Sequence, residues 1–171
     1  MLKVILQSWQ SIMPFNERAR DLRLQNTPLW LYQRDALAPY CDHEIELLPG
    51  QSLPANIKEA RIVYRDNLFF DNEYIDAFLV EAKKRTSPSR AAFTLKDAAF
   101  REHCLPLSVS YTQEKDLFLT ELWYYPEGTS AADTADPVVI DMQAQEMGYY
   151  HVPTYMAHQQ GDLTYQVPLR F

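Results

Sequence analysis

The chain has 171 residues, of which 47% are hydrophobic, and its formal net charge is −7 at pH 7. This length and apolar content suffice for one ordinary hydrophobic core without a metal or disulfide staple, so we expect a single domain over residues 1–171. The acidic charge and the lack of a basic stripe argue against nucleic-acid binding, because a phosphate backbone needs clustered lysine and arginine.

The cysteines and the amino terminus predict a cellular compartment. Cys41 and Cys104 are far apart and have no metal-ligand spacing, which predicts buried thiols in a reducing environment. The apolar run from Met1 to Leu6 is too short for a signal peptide or a membrane span. We therefore expect a cytoplasmic protein that does not insert into a membrane.

The first half of the chain alternates predicted strands and helices. In chain order these are a strand at Lys3 to Leu6, a charged loop with one helical turn at Asn16 to Asn26, a helix at Leu29 to Leu37 and a strand at Glu44 to Leu48. Thr27 and Pro28 predict the start of the helix, since a hydroxyl caps the first turn and proline suits the first helical position. The loop that follows the first strand, Gln7 to Pro14, contains no glycine.

The stretch from Ala60 to Leu95 predicts a strand, a helix and a second strand. Their predicted ranges are Arg61 to Tyr64, Glu73 to Arg85 and Arg90 to Leu95. Apolar residues of the helix recur at helical spacing on one face, and Asp71 or Asn72 can cap its first turn. Such a crossover predicts parallel strands with a ligand beyond their carboxyl ends, where Asp66 and Asn67 lie.

The second half of the chain predicts a hairpin and several short elements. They are a helix at residues 97–103, hairpin strands at 109–112 and 117–125, and strands at 138–142 and 148–152. The pattern as a whole predicts an α/β fold with a mixed, mostly parallel central sheet flanked by helices and with an antiparallel hairpin insertion. The apolar ending at Phe171 leads us to expect that the natural chain continues.

Several short motifs follow one another in the first 95 residues. They are the opening strand Met1 to Leu6, Pro14 in the loop, Arg18-Ala19-Arg20-Asp21-Leu22, Asn26-Thr27-Pro28-Leu29 and Ile62-Val63-Tyr64-Arg65-Asp66-Asn67. This order is similar to that of the sugar-1-phosphate nucleotidyltransferases. These open with a strand, a G-x-G-T-R-x-x-P loop, an R-P-K-x-L element, an N-K-P-L helix start and a strand ending in G-D-N. The resemblance implies a Rossmann-like nucleotidyltransferase fold, closest to the degenerate domains that precede a left-handed parallel β-helix.

The resemblance also implies a ligand site. The implied residues are Asp66 for magnesium, Arg20 as the catalytic cation where the family has lysine, and Arg18, Asn67, Gln7 and Ser8 for substrate. Magnesium and basic side chains would compensate the charge that builds when a sugar phosphate attacks a nucleoside triphosphate. Because the loop lacks the glycines that let backbone amides approach a polyphosphate, we expect altered or lost nucleotidyl transfer.

Two functions stay open. The first is binding of a nucleotide, a nucleotide sugar or a sugar phosphate. The second is a non-catalytic structural or regulatory role in an assembly, with a downstream β-helix domain, another subunit or a second copy of the chain. The residues allow both, since Asp66 and Asn67 also suit a turn, and Arg18 and Arg20 also suit surface salt bridges. The first function requires that the opening strand and the strand before Asp66 lie side by side.

Overall fold

The computed structural model describes residues 1–9, 11–12, 14, 16–54, 57–96, 101, 105 and 112–140. Within these residues the elements in chain order are β1 (Leu2–Leu6), β2 (Ser11–Ile12), β3 (Glu17–Arg18), a 3-10 turn (Ala19–Asp21), β4 (Arg23–Leu24), β5 (Thr27–Pro28), α1 (Leu29–Leu37), β6 (His43–Leu47), β7 (Arg61–Arg65), α2 (Asn72–Ala82), β8 (Ser89–Thr94), β9 (Thr112–Glu114), β10 (Leu117–Tyr125) and β11 (Asp136–Val139). Most of the predicted helix at 97–103 and all of the predicted strand at 148–152 lie outside the described residues.

The described strands form one mixed sheet. Seven strands take part, in the order β11-β8-β10-β7-β1-β6, with β9 beside β10. β1 runs parallel to both of its neighbours, and β11 runs parallel to β8. β10 runs antiparallel to β7, β8 and β9. The structure thus confirms an α/β fold with a mixed, mostly parallel sheet and an antiparallel hairpin.

The predicted strand, helix and strand unit is present with a further strand inserted. β7 and β8 are parallel to each other because both run antiparallel to β10, which lies between them. The side chain of Asp71 accepts a hydrogen bond of 2.9 Å from the Tyr74 backbone N–H and so caps α2 as predicted. The hairpin that ends in β10 therefore belongs to the middle of the sheet.

The segment before α1 differs from its prediction. The predicted helical turn exists as the 3-10 turn, but Thr27 does not cap α1. Thr27 pairs with Leu24 in the β4–β5 ladder, which the left-handed residues Gln25 and Asn26 close into a hairpin. Pro28 is the N-cap residue and gives no side-chain hydrogen bond. The first N–H of α1, that of Leu29, donates instead to the backbone carbonyl of Leu22 at 2.9 Å. A backbone acceptor thus replaces the expected side-chain cap.

Alternate residues of the strands divide the core between the two faces of the sheet. Both described α-helices pack on the face that carries Ile5, Ile62 and Tyr64. The opposite face has a smaller apolar cluster, which includes Val4 and Val63. Among the described residues, no helix is long and apolar enough to cross a membrane.

Candidate functional site

The order of the central strands predicts a crevice at their carboxyl ends, between β1 and β7. β1 lies between β6 and β7, so the chain leaves β1 towards one side and returns on the other. In α/β sheets, ligands bind where the direction of the connections changes in this way. Leu6 is opposite Arg65, which places Gln7 and Ser8 next to Asp66. The expectation that the opening strand and the strand before Asp66 lie side by side is confirmed.

Asp66 is the most buried acidic group at this crevice. It is 1% exposed, and its Oδ1 accepts a hydrogen bond of 2.7 Å from the Ser8 backbone N–H. Its Oδ2 is buried without a hydrogen-bond partner and lies 3.9 Å from Nη1 of Arg20. Burial raises the pKa of Asp66 above its ordinary value, although the Ser8 N–H and the Arg20 charge act in the opposite direction. The negative charge of this carboxylate is therefore only partly compensated.

Arg20 and Gln7 both contact Glu46 on β6, a residue that was not predicted from the sequence to belong to the site. The two terminal nitrogens of Arg20 lie 3.4 Å from the two carboxylate oxygens of Glu46. Nε2 of Gln7 also donates to Glu46. Burial opposes the charge of Glu46, but the bonds from Arg20 and Gln7 hold its pKa below the ordinary value. Glu46 lies near the end of the strand next to β1, a position that becomes informative only when the strand order is known.

Gln33 of α1 supports the turn that holds Asp66. It is 1% exposed, and its Nε2 donates to the backbone carbonyls of Asp66 at 3.0 Å and Leu68 at 2.7 Å. It lies on the buried face of α1 together with Leu29, Ala36 and Leu37. A polar residue within the apolar face of a predicted helix is a signal that could have identified it.

The remaining predicted residues lie outside this group. Arg18 is exposed on β3, and its guanidinium lies 5.3 Å from the ring centre of Trp9. Trp9 is 61% exposed, so it does not fill the crevice. Asn67 lies in the turn that the hydrogen bond from the Leu68 N–H to the Arg65 carbonyl closes at 3.0 Å. The structure thus brings Gln7, Ser8, Arg20 and Asp66 together, with Asn67 beside them in the turn and Arg18 stacked on Trp9.

The donor set at the crevice suits magnesium only together with a ligand. Among the described residues there is no group of three or more histidine, cysteine, aspartate or glutamate side chains that could hold a metal ion. Magnesium is commonly bound through one or two carboxylates, with water and substrate phosphates supplying the other ligands. The unpartnered Oδ2 of Asp66 fits that single protein contact.

Comparisons with known proteins do not identify the chain. No family model matches it, and no curated protein matches its sequence. The fold and the site define an α/β domain with a polar crevice at the carboxyl ends of β1 and β7. The resemblance to sugar-1-phosphate nucleotidyltransferases stays a prediction.

Proposed function

We propose that this chain is a nucleotidyltransferase-like domain that binds a nucleotide, a nucleotide sugar or a sugar phosphate at the crevice between β1 and β7, and that it has lost nucleotidyl transfer. Asp66 binds the ligand through magnesium, and Arg20 contacts a phosphate. Asn67, Gln7 and Ser8 border the ligand.

The observation that carries the proposal is the buried Oδ2 of Asp66. A buried carboxylate oxygen without a hydrogen bond is unfavourable, because nothing repays the loss of its hydration. A divalent cation would remove this cost and join the carboxylate to the phosphates of a ligand. Arg20 lies close enough to add a second positive group on the same side.

The loop after β1 supports the loss of transfer. By the resemblance, the Ser8 N–H corresponds to one of the loop amides that cradle a polyphosphate in the family, and here it donates a hydrogen bond to Asp66. No glycine occurs between Gln7 and Ser11, so the loop lacks the residue type that best lets a backbone approach phosphates closely. Removing one preorganised donor from a charged transition state typically slows a reaction by about 100- to 1,000-fold.

Calorimetry tests the proposal directly. The wild-type protein is titrated with ATP, CTP, GTP, UTP, UDP-glucose, GDP-mannose and glucose 1-phosphate, with magnesium and then with EDTA. We expect at least one of them to bind in a magnesium-dependent manner. When each triphosphate is mixed with glucose 1-phosphate and magnesium, so that an acceptor for the nucleotidyl group is present, we expect no pyrophosphate release. Asp66→Asn should remove the magnesium dependence, whereas Asp116→Asn, at the exposed hairpin turn, should bind as the wild type does.

The outcomes separate two functions. Failure of every compound to bind at millimolar concentration would overturn the proposal, as would a magnesium dependence that survives Asp66→Asn. The second candidate is then favoured, in which the domain serves only in assembly. Its specific support is that Glu46 joins Arg20 and Gln7, and Asp66 joins the Ser8 backbone, so the crevice residues also hold one another.

A further inference from the structure

A cavity of about 250 Å³ lies on the helix side of the sheet, between α1 and the strands β6, β1 and β7. Its lining residues are Lys3, Ile5, Arg20, Trp30, Gln33, Arg34, Glu44, Glu46 and Tyr64. Arg20 and Glu46 belong to both sites, so the cavity adjoins the crevice at the carboxyl ends of the strands.

Charged residues of two strands, β1 and β6, line this cavity. Lys3 of β1 is directly opposite Glu44 of β6, and its Nζ lies 2.5 Å from a Glu44 carboxylate oxygen. Lys3 is only 6% exposed, and its pairing with Glu44 offsets the cost of burying its charge. The residues of α1 that line the cavity, Trp30, Gln33 and Arg34, have the spacing of a single helix face.

Two almost fully buried side chains each have a polar atom available to a ligand. Tyr64 and Gln33 are both 1% exposed. Gln33 uses both hydrogens of its Nε2 on the carbonyls of Asp66 and Leu68, which leaves its Oε1 as an acceptor. Neither the Tyr64 hydroxyl nor the Gln33 Oε1 is among the polar atoms sealed from solvent without a partner. Both residues line the cavity.

The chemistry of the lining fits a polyhydroxylated ring. The Tyr64 hydroxyl and the Lys3 ammonium can donate hydrogen bonds, Gln33 Oε1 and Glu44 can accept them, and Trp30 adds an aromatic wall. Lys3 is paired with Glu44, and Arg20 with Glu46, so the charges of the lining largely cancel. A site of paired charges offers little to a free ion but many polar contacts to hydroxyl groups.

We infer that this cavity binds the ring of one monosaccharide. Its volume is just below the range of roughly 300 to 1,000 Å³ that drug-sized ligands occupy, which suits a single ring. The inference deepens the proposed function and rests on it only for the phosphate, which would extend from the cavity towards Arg20. Recognition of the ring itself uses Tyr64, Gln33, Lys3, Glu44 and Trp30.

Saturation-transfer NMR and calorimetry test this inference with four free sugars and their 1-phosphates. The probes are glucose, galactose, mannose and N-acetylglucosamine. We expect at least one free sugar to bind, and Tyr64→Phe to weaken it about tenfold through loss of one hydroxyl contact. Trp30→Leu should weaken it as well. Tyr40→Phe is the matched control, because the Tyr40 hydroxyl bonds Asp76 and is not part of the cavity lining.

The results distinguish this inference from the proposed function. If a free sugar binds, is weakened by Tyr64→Phe and is unaffected by Asp66→Asn, the cavity is a sugar site even if no ligand shows magnesium dependence. If only the 1-phosphates bind, and Tyr64→Phe leaves their affinity unchanged, the cavity inference is wrong while the crevice proposal stands. Failure of all the sugars to bind also overturns the inference.

Discussion

The two ends of β7 each carry a buried charge, and their surroundings differ. Arg61 at the start is 0% exposed, and Asp66 just after the end is 1% exposed. Arg61 donates to the carbonyls of Glu59 at 3.2 Å and Thr129 at 3.1 Å, and its guanidinium lies 4.6 Å from the ring centre of Tyr125. Only its Nε lacks an acceptor.

The compensation of Asp66 is of a different kind from that of Arg61, since Nη1 of Arg20 lies 3.9 Å from its Oδ2. One of its oxygens accepts a backbone hydrogen bond, and the other has no hydrogen-bond partner. Burial shifts the pKa of each group towards the neutral form, downwards for Arg61 and upwards for Asp66. A buried charge alone therefore does not indicate a site. At the amino end of β7 backbone carbonyls and an aromatic ring surround the charge, whereas at the carboxyl end one carboxylate oxygen has no hydrogen bond.

The largest change in the free energy of unfolding is expected for substitution of Arg61 at the amino end of β7. Arg61→Ala should lower the free energy of unfolding by about 3 kcal/mol, because it removes two charged hydrogen bonds, the contact with Tyr125 and buried packing. Arg61→Met should cost less, since an apolar side chain of similar length refills the space without a buried charge. Urea unfolding of the three proteins measures this. A loss below about 1 kcal/mol for Arg61→Ala would show that the amino end is not held by this residue.

The support of the Asp66 turn should show the next largest effect. Gln33→Leu leaves the Asp66 and Leu68 carbonyls without their donor, and we expect it to lower the free energy of unfolding by about 2 kcal/mol. Gln113→Leu, on the exposed strand β9, is the control and should change little. Equal stabilities of the two variants would mean that water replaces the Gln33 amide at no cost.

Removal of the Asp66 charge should raise the free energy of unfolding, whereas the two previous substitutions lower it. Asp66→Asn keeps an oxygen for the Ser8 N–H, and we expect the ligand-free variant to unfold roughly 2 to 4 °C above the wild type, as about 1 kcal/mol does in a chain of this size. The raised pKa fixes the pH dependence. Below the ordinary value of 3.8 the two proteins should differ least, and the wild type should lose stability relative to the variant as pH rises through the folded-state pKa of Asp66.

Thermal unfolding from acidic to neutral pH checks this expectation. If Asp66→Asn is less stable than the wild type at neutral pH, the attraction of Arg20 outweighs desolvation. Asp66 would then resemble Arg61, and the contrast between the two ends of β7 would disappear.

The sequence predicted the parts of this fold that depend on local pattern. The helix at Leu29 to Leu37 and the Asp71 cap follow from helical spacing and capping chemistry, and the structure has both. The sequence could not place β10 between β7 and β8, because the position of a returning strand depends on contacts between distant residues. The Thr27 cap was wrong because the hairpin ladder competes for the same backbone.

The candidate site, like the fold, was predictable only where it depends on local sequence. Asp66 follows a buried strand, so its position at a carboxyl end could be read from the chain. Glu46 could not be read in this way, since it joins the site only because β6 lies next to β1. Gln33 was visible as a polar residue on an apolar helix face, but its carbonyl partners belong to a turn more than thirty residues away.

The smallest effect is expected at Glu46. It is partly exposed and paired with Arg20 and Gln7, so Glu46→Gln should lower the free energy of unfolding by about 0.5 kcal/mol. Its pKa is depressed in the folded state, so this contribution is present above the ordinary value of 4.5 and is lost as pH falls through the folded-state value. As pH falls, the contribution of Glu46 to the free energy of unfolding should thus decrease, and that of Asp66 should increase. Stability profiles of the two single variants and the double variant test whether these opposite slopes exist. Parallel slopes would mean that both carboxylates serve the same structural network through Arg20, whereas opposite slopes leave Asp66 as the group that the fold itself does not satisfy.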